Sequence, residues 1–381
     1  MWELADLTLT RPALAARLRQ HWDTSLADYS AQLWAAPPDA PVEDAFAAAL
    51  REEAMRITGS VEVAEHLLRH RVAVTAHHVT PTNGPGFLAI DRIAIAGKPS
   101  GVPLVVLAWS GVALSNAAWS GAISFNGLIE RLLVPGSPTE RRLRKAQADR
   151  ARDSGVTELR LSLFPSKQRD ALLYRLGVPE RLGEVLRDVR PEARHLFADL
   201  DDAEDYPTWA LKTCATIQQA ILGDAVVYLD LNRIVADYLT RIAGQSDHPL
   251  VRFLRAESHD EAFAAKSWAY RRRSSGKLAV MGPEAAAALL AGTICPGLVP
   301  AFVALRCVNG IRCLGSFNQD DYLRAFAAAW GAWDDPQPTL VTGRSPGETY
   351  PLDLALSGTV LSAEGLVMRD LWAPLLPRLL R

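Results

Sequence analysis

A chain of 381 residues with a formal net charge of −2, 49% hydrophobic and 22% charged residues excludes a disordered polymer and a nucleic-acid binder built on a broad basic face. Its longest apolar runs, VPLVVLAWSGVAL and LVPAFVAL, fall short of the ~18–20 residues that span a bilayer, so no membrane partner is expected. Cys214, Cys295, Cys307 and Cys313 have no CxxC spacing, which argues against a zinc knuckle or a disulfide framework and for reduced thiols.

The first segment, MWELADLTLTRPALAARLRQHWDT, lacks the apolar core and cleavage site of a signal peptide, and a cytoplasmic protein is expected. The abundance of Ala, Arg and Leu suggests a GC-rich bacterial genome. Helical spacing predicts one helix over 12–36, a second from Pro41 to about Ile57, and a third, SVEVAEHLLRH, ending at His70. The period then changes to that of strands. RVAVTA and GFLAIDRIAI alternate, and VPLVVLAW is continuously apolar, as a strand buried on both faces would be.

Beyond Asn126 a basic stretch reads as a solvated connector. TELRLSLF then reads as a strand, and SKQRDALLYRLG as a helix closed by Gly177. Helical patterns fill Pro179 to Gly223, the short run VVYLDL leads into the helix NRIVADYLTRIAG, and EAFAAKSWAYRRR, KLAVM and PEAAAALLAG read as helix, strand and helix. VPAFVALRCV and IRCLGSF, joined at Asn309-Gly310, carry the strongest short-range hairpin signal in the chain. DDYLRAFAAAWGAW and a last helix ending in PLLPRLLR follow.

Strands interleaved with many helices predict a mixed α/β or α+β fold, with helices packed around a central sheet. Three stretches are expected to form one compact unit: an N-terminal helical segment over 1–70, a mixed core over 71–340, and a C-terminal loop and helix over 341–381.

Candidate chemistry begins with histidines. His66 and His70 lie i,i+4 on one helix face, and His77 could return along the next strand as a third ligand, which leaves room for a divalent metal in a hydrolase or oxygenase. The same region serves without a metal. His77 and His78 end a strand before the turn VTPTNGPG, where an imidazole titrating near neutral pH can act as acid or base beside Thr80, Thr82 or Asn83. Adjacent residues on extended backbone point to opposite faces, so one of the two is expected to be buried and the other to face a cleft.

Four further places supply polar groups. Ser110 and Asn116 in AWSGVALSNAAWSG suit a pocket lining, although no GxSxG elbow supports a nucleophile. Lys167 and Arg169 sit in the first turn of a predicted helix, against its dipole, as cations that hold an anion would. Ser316, Asn318, Gln319 and Asp320 cluster at a strand-to-helix junction, and Asp230 has the same placement at the end of VVYLD. The cationic segment YRRRSSGK is a further candidate anion clamp.

No GxGxxG or GxxxxGK(S/T) is present, so no nucleotide cofactor is expected. The expectation is a cytosolic enzyme of small-molecule metabolism acting on a polar, anionic substrate. Histidine acid/base chemistry at His77 or His78, with Asp320, would drive an elimination, cyclisation or group transfer. The metal-dependent enzyme and a non-catalytic binding or scaffold protein are the alternatives, and the oligomeric state is left open.

Overall fold

In the computed structural model the described residues are 7–9, 11–35, 41–79, 81, 85–111, 131–132, 160–161, 173–179, 182–183, 186, 191–255, 282–315, 317–331 and 351–372. Before the first strand come α1 (Pro12–His21), α2 (Leu26–Ala35), α3 (Asp44–Thr58) and α4 (Glu62–His70). The single helix expected over 12–36 is therefore two. The break falls before Ser25, whose hydroxyl accepts the Asp28 amide at 3.0 Å and so starts α2.

Arg71 joins α4 to the sheet with φ at 56°, a left-handed conformation that ends the helix in one residue. Its guanidinium donates to the carbonyls of Leu68 and Asn309, and its own carbonyl accepts the Arg312 amide at 2.6 Å. The turn is held from both sides.

The core of the sheet follows as β1 (Val72–Val74), α5 (Pro85–Ala96) and β2 (Leu104–Ala108). GFLAIDRIAI, expected as a strand, forms most of α5. Its apolar residues serve a helix that crosses between two parallel strands, a connection for which a short hairpin does not suffice. Buried Asp91 and Arg92 in its middle belong to that helix.

Two short strands, β3 (Arg131–Leu132) and β4 (Arg160–Leu161), pair parallel to one another, the second inside the predicted TELRLSLF strand. Then come α6 (Tyr206–Leu222), β5 (Val226–Asp230), α7 (Leu231–Ile242), α8 (Pro249–Arg255), α9 (Pro283–Leu290), α10 (Leu298–Phe302), β6 (Arg312–Leu314), α11 (Phe317–Trp330), α12 (Pro351–Leu356) and α13 (Met368–Trp372).

No hairpin forms at Asn309-Gly310. VPAFVALRCV is helical, continuing from α10 into a π-helical turn over Val303–Val308, and the Asn309 side chain stops it by donating to the Ala304 carbonyl at 2.9 Å. Gly310, at φ 61°, reverses the chain, and β6 then joins β1 in parallel. Helix-stop chemistry uses the same Asn-Gly pair that a tight hairpin would.

The fold is mixed α/β: a four-stranded parallel sheet in the order β5-β2-β1-β6, with helices on both faces. Val74 pairs with Val106, and β2 runs against β5 from Leu104–Val226 to Ala108–Asp230. Alternate residues of β2 serve two cores. Leu104, Val106 and Ala108 meet α2, α5 and α6 on one face, while Val105 and Leu107 meet α3, α7 and α10 on the other. No helix of the described residues is long and apolar enough to cross a membrane.

Candidate functional site

In open parallel sheets, ligands bind outside the carboxyl ends of the strands, where the loops converge. Three such ends are described here. At the junction of β1 and β6, where the strand order reverses, Gln319 is fully buried and donates to Thr75 Oγ1 at 2.9 Å and to the Cys313 carbonyl at 3.2 Å. Gly315 makes room for it, since a Cβ there would lie 1.9 Å from Gln319 Oε1. This predicted site residue is part of the wall that closes the sheet.

The histidines come next along the edge. His77 is fully buried, its Nε2 3.0 Å from Asp91 Oδ2, with its ring between Phe87 and Tyr228 at centroid distances of 5.0 and 5.6 Å. Its Nδ1 has no hydrogen-bond partner among the described residues. His78 is partly exposed and bridges the backbone of Trp109; burial first, then the neighbouring His77, pushes its imidazole down to about 4, which leaves it neutral at pH 7.

His66 and His70 stack 6.4 Å apart on α4, before β1, whereas His77 lies past its other end. Seven residues of extended chain cover roughly 20 Å. The structure does not bring His66, His70 and His77 together, and no group of three His, Cys, Asp or Glu side chains that could hold a metal ion is found among the described residues.

The densest polar cluster lies at the carboxyl ends of β2 and β5. Asp230 ends β5 and caps α7, its Oδ1 accepting the amides of Asn232 at 2.9 Å and Arg233 at 3.3 Å. The same oxygen accepts the Ser110 hydroxyl at 2.6 Å. Asn232 Oδ1 in turn gathers the Ser110 and Gly111 amides at 3.0 and 2.7 Å, and its Nδ2 donates to the Pro296 carbonyl at 2.8 Å. Only glycine fits at 111: a Cβ would stand 2.4 Å from Asn232 Nδ2 and 2.8 Å from Cys295 Sγ. The end of β2 is thereby clamped, with Ser110 aimed at Asp230.

Charged side chains from three helices close over this clamp. Glu53 of α3 accepts the Asp230 amide at 2.9 Å and is forked by Arg56 at 2.7 and 2.8 Å. Arg56 also donates to Thr208 Oγ1 at 2.6 Å. Thr208 donates its amide and hydroxyl to Asp205, the N-cap of α6, and the other oxygen of Asp205 accepts from Arg233. The Arg233 guanidinium stands 5.7 Å from the centre of the Tyr174 ring, and its Nε lies 3.7 Å from Asp230 Oδ2, too far for a hydrogen bond.

Asp230 is fully buried, and that burial, reinforced by the nearby Glu53 charge, pushes its carboxyl up to about 7 against the opposing Ser110 hydrogen bond and the charges of Arg233 and Arg56. Burial also raises the Tyr174 phenol, so it stays protonated. Above the cluster opens a cleft of about 320 Å³ lined by the polar side chains of Glu52, Glu53, Arg56, Tyr174, Arg233, Asp237 and Thr240 and by Ala49, Ala236, Leu289 and Leu290. A larger cavity of about 420 Å³, between Leu186, Arg194, Phe197 and Asp201, contains none of the strand-end residues.

Of the residues expected from sequence, Ser110 and Asp230 meet in this cluster. Thr80, Asn83, Asn116, Lys167, Arg169, Ser316 and the YRRRSSGK segment lie outside the described residues, as do the side chains of Asn318 and Asp320. Glu53, Arg56, Asp205, Asn232 and Arg233 were not foreseen. The DLNR that follows the β5 run was the one local signal, since it places a cap, an amide and a cation at a strand end. Compared with models of protein families, with curated proteins and with solved structures, the chain has no match.

Proposed function

We propose that this protein is an enzyme that moves a proton on a small polar metabolite in the cleft between α3, α7 and Tyr174, with Asp230 as the proton carrier. The reading rests on one observation: a fully buried carboxyl, raised to about 7, whose Oδ1 is saturated by three donors and whose Oδ2 has no hydrogen-bond partner among the described residues, packed against Glu53 and Arg233 of the cleft lining. A carboxyl in that range can both give and take a proton near neutral pH. Arg56 and Arg233, beside Glu52, Glu53 and Asp237, suit a polar substrate, and Ser110 holds Oδ1 so that the exchangeable proton belongs to Oδ2. Elimination, cyclisation and group transfer all include such a step.

A second reading keeps the proton on His77, and the His77–Asp91 pair with its unpartnered Nδ1 supports it. Turnover of a panel of hydroxy, amino and phosphorylated acids, followed by mass spectrometry, separates the two. Asp230→Asn is expected to abolish turnover of the best substrate, while His77→Gln retains it within about tenfold. The reverse pattern, with both variants folded, transfers the role to His77, and full activity in both removes the proposed enzyme.

A further inference from the structure

Asp230 caps α7 and Arg233 stands three residues on, a spacing at which a carboxylate and a guanidinium can pair. They do not. The Arg233 amide reaches Oδ1 at 3.3 Å, but Arg233 Nε stops 3.7 Å from Oδ2, and both of these atoms are buried with no hydrogen-bond partner among the described residues. A buried carboxylate gains most from an opposite charge when the two are in hydrogen-bonding contact, so a gap of this size needs something to hold it open.

Asp205 does so. The Arg233 guanidinium donates through Nη2 to Asp205 Oδ2, and the Tyr174 ring flanks it at 5.7 Å. Asp205 cannot follow Arg233 toward α7, because it caps α6: its Oδ1 accepts the Thr208 amide at 2.9 Å and the Thr208 hydroxyl at 2.6 Å, and Thr208 in turn accepts from Arg56. Two carboxylates thus compete for one cation, and the one that caps α6 has it. Arg56, the other cation near Asp230, gives its donors to Glu53 and Thr208. The remaining groups around Asp230 are Glu53, the Tyr174 phenol, the Ser110 hydroxyl and, bonded to the Gly111 carbonyl, the Cys295 thiol, and none of them is a cation.

We propose that Asp205 is a positioning residue for Asp230: it draws Arg233 away and so leaves Oδ2 without an ion-pair partner, able to carry a proton. The assignment rests on the acid/base reading above for the use of that proton, and it brings α6 into the machinery. Without Asp205, Nε has less than 1 Å to travel to reach hydrogen-bonding distance of Oδ2, and an arginine in contact lowers a carboxyl by about 1–3 pH units.

Nuclear magnetic resonance of the full chain, with isotope-labelled aspartate carboxyl carbons, can follow the Asp230 titration directly, its signal identified by its loss in Asp230→Asn. Asp205→Asn keeps an oxygen for the α6 cap and gives up the charge, and Asp205→Ser keeps the cap with a side chain too short for Arg233. In both variants the Asp230 midpoint is expected to fall by about 1–3 pH units. Arg233→Gln added to either should return it to the parent value or above, since the cation that moved is gone. A midpoint that stays in place in a folded Asp205 variant overturns the proposal, as does a fall that survives Arg233→Gln. Loss of turnover in Asp230→Asn together with an unmoved midpoint in Asp205→Asn ends the role of Asp205 and leaves the acid/base reading standing. A midpoint that falls as expected, in a protein whose Asp230→Asn variant turns over substrate normally, upholds the hold of Asp205 on Arg233 and ends the acid/base reading.

Discussion

At Asp230 the native structure holds a carboxyl at a proton affinity that the unfolded chain does not share. Its ordinary value is 3.8 and its native one about 7, so native and unfolded states differ in protonation only between about pH 4 and pH 7. As pH rises through that window, the unfolded chain releases its proton first, and the site's contribution to stability is progressively lost. The groups that face it are Glu53 and Arg56 from α3, Arg233 from α7 and Tyr174, with Ser110 and Asn232 from the clamp. Asp230→Asn keeps the cap on α7, because the amide oxygen can take the place of Oδ1, and removes the ionisation. The variant is therefore expected to gain stability relative to the parent between pH 5 and pH 8, by on the order of 2 kcal/mol. Urea denaturation at the two pH values measures this difference. A gap that does not change with pH would show that the carboxyl is already ionised at pH 5.

At the scale of elements, the carboxyl ends of the strands are built by residues that give up side-chain volume so that a polar neighbour can enter. Gly315 ends β6 beneath Gln319, and an added Cβ there would stand 1.9 Å from Gln319 Oε1 and 2.2 Å from its Cδ. Gln319 is fully buried and bonded to Thr75, so it cannot swing into solvent. Gly315→Ala should cost about 1–3 kcal/mol as overpacking, and much of that cost should vanish in a Gln319→Ala background, where the obstructing amide is gone. Additive losses in the double variant would place the strain elsewhere.

The same element scale explains what the sequence revealed. β1, β2 and β5 were legible because each is a short apolar run, and Ser110 and Asp230 stood out because they follow such runs. Helix α5 was not, since its apolar residues also fit alternation and only the parallel pairing of β1 and β2 demands a crossover helix. Glu53 was invisible for another reason: it lies 177 residues from Asp230 in a run that reads as an ordinary amphipathic helix, and only tertiary packing joins them. The Arg56–Thr208 contact spans 152 residues in the same way.

For the whole molecule, the sheet is what makes two cores one. The apolar cluster around α1, α2, α5 and α6 and the cluster around α3, α7, α10 and α11 lie on opposite faces, and β2 supplies alternate side chains to both. Across its carboxyl end, Glu53, Arg56, Thr208, Asp205 and Arg233 tie α3, α6 and α7 together, so the helices of one face are bonded to those of the other as well as to the strands. Neither face can open without exposing the five fully buried residues of β2. Cooperative unfolding follows from that arrangement. Leu107 is fully buried in the cluster of α3 and α7. Truncating it in Leu107→Ala should destabilise the chain by about 2–5 kcal/mol through lost burial and the cavity left behind. Circular dichroism reports helices on both faces, and tryptophans lie in both clusters: Trp22, Trp34 and Trp209 in one, Trp109 and Trp330 in the other. In urea the two signals should share one midpoint in the parent and shift together in the variant. Separate midpoints for circular dichroism and tryptophan fluorescence would mean that the two faces fold as independent units and that β2 does not couple them.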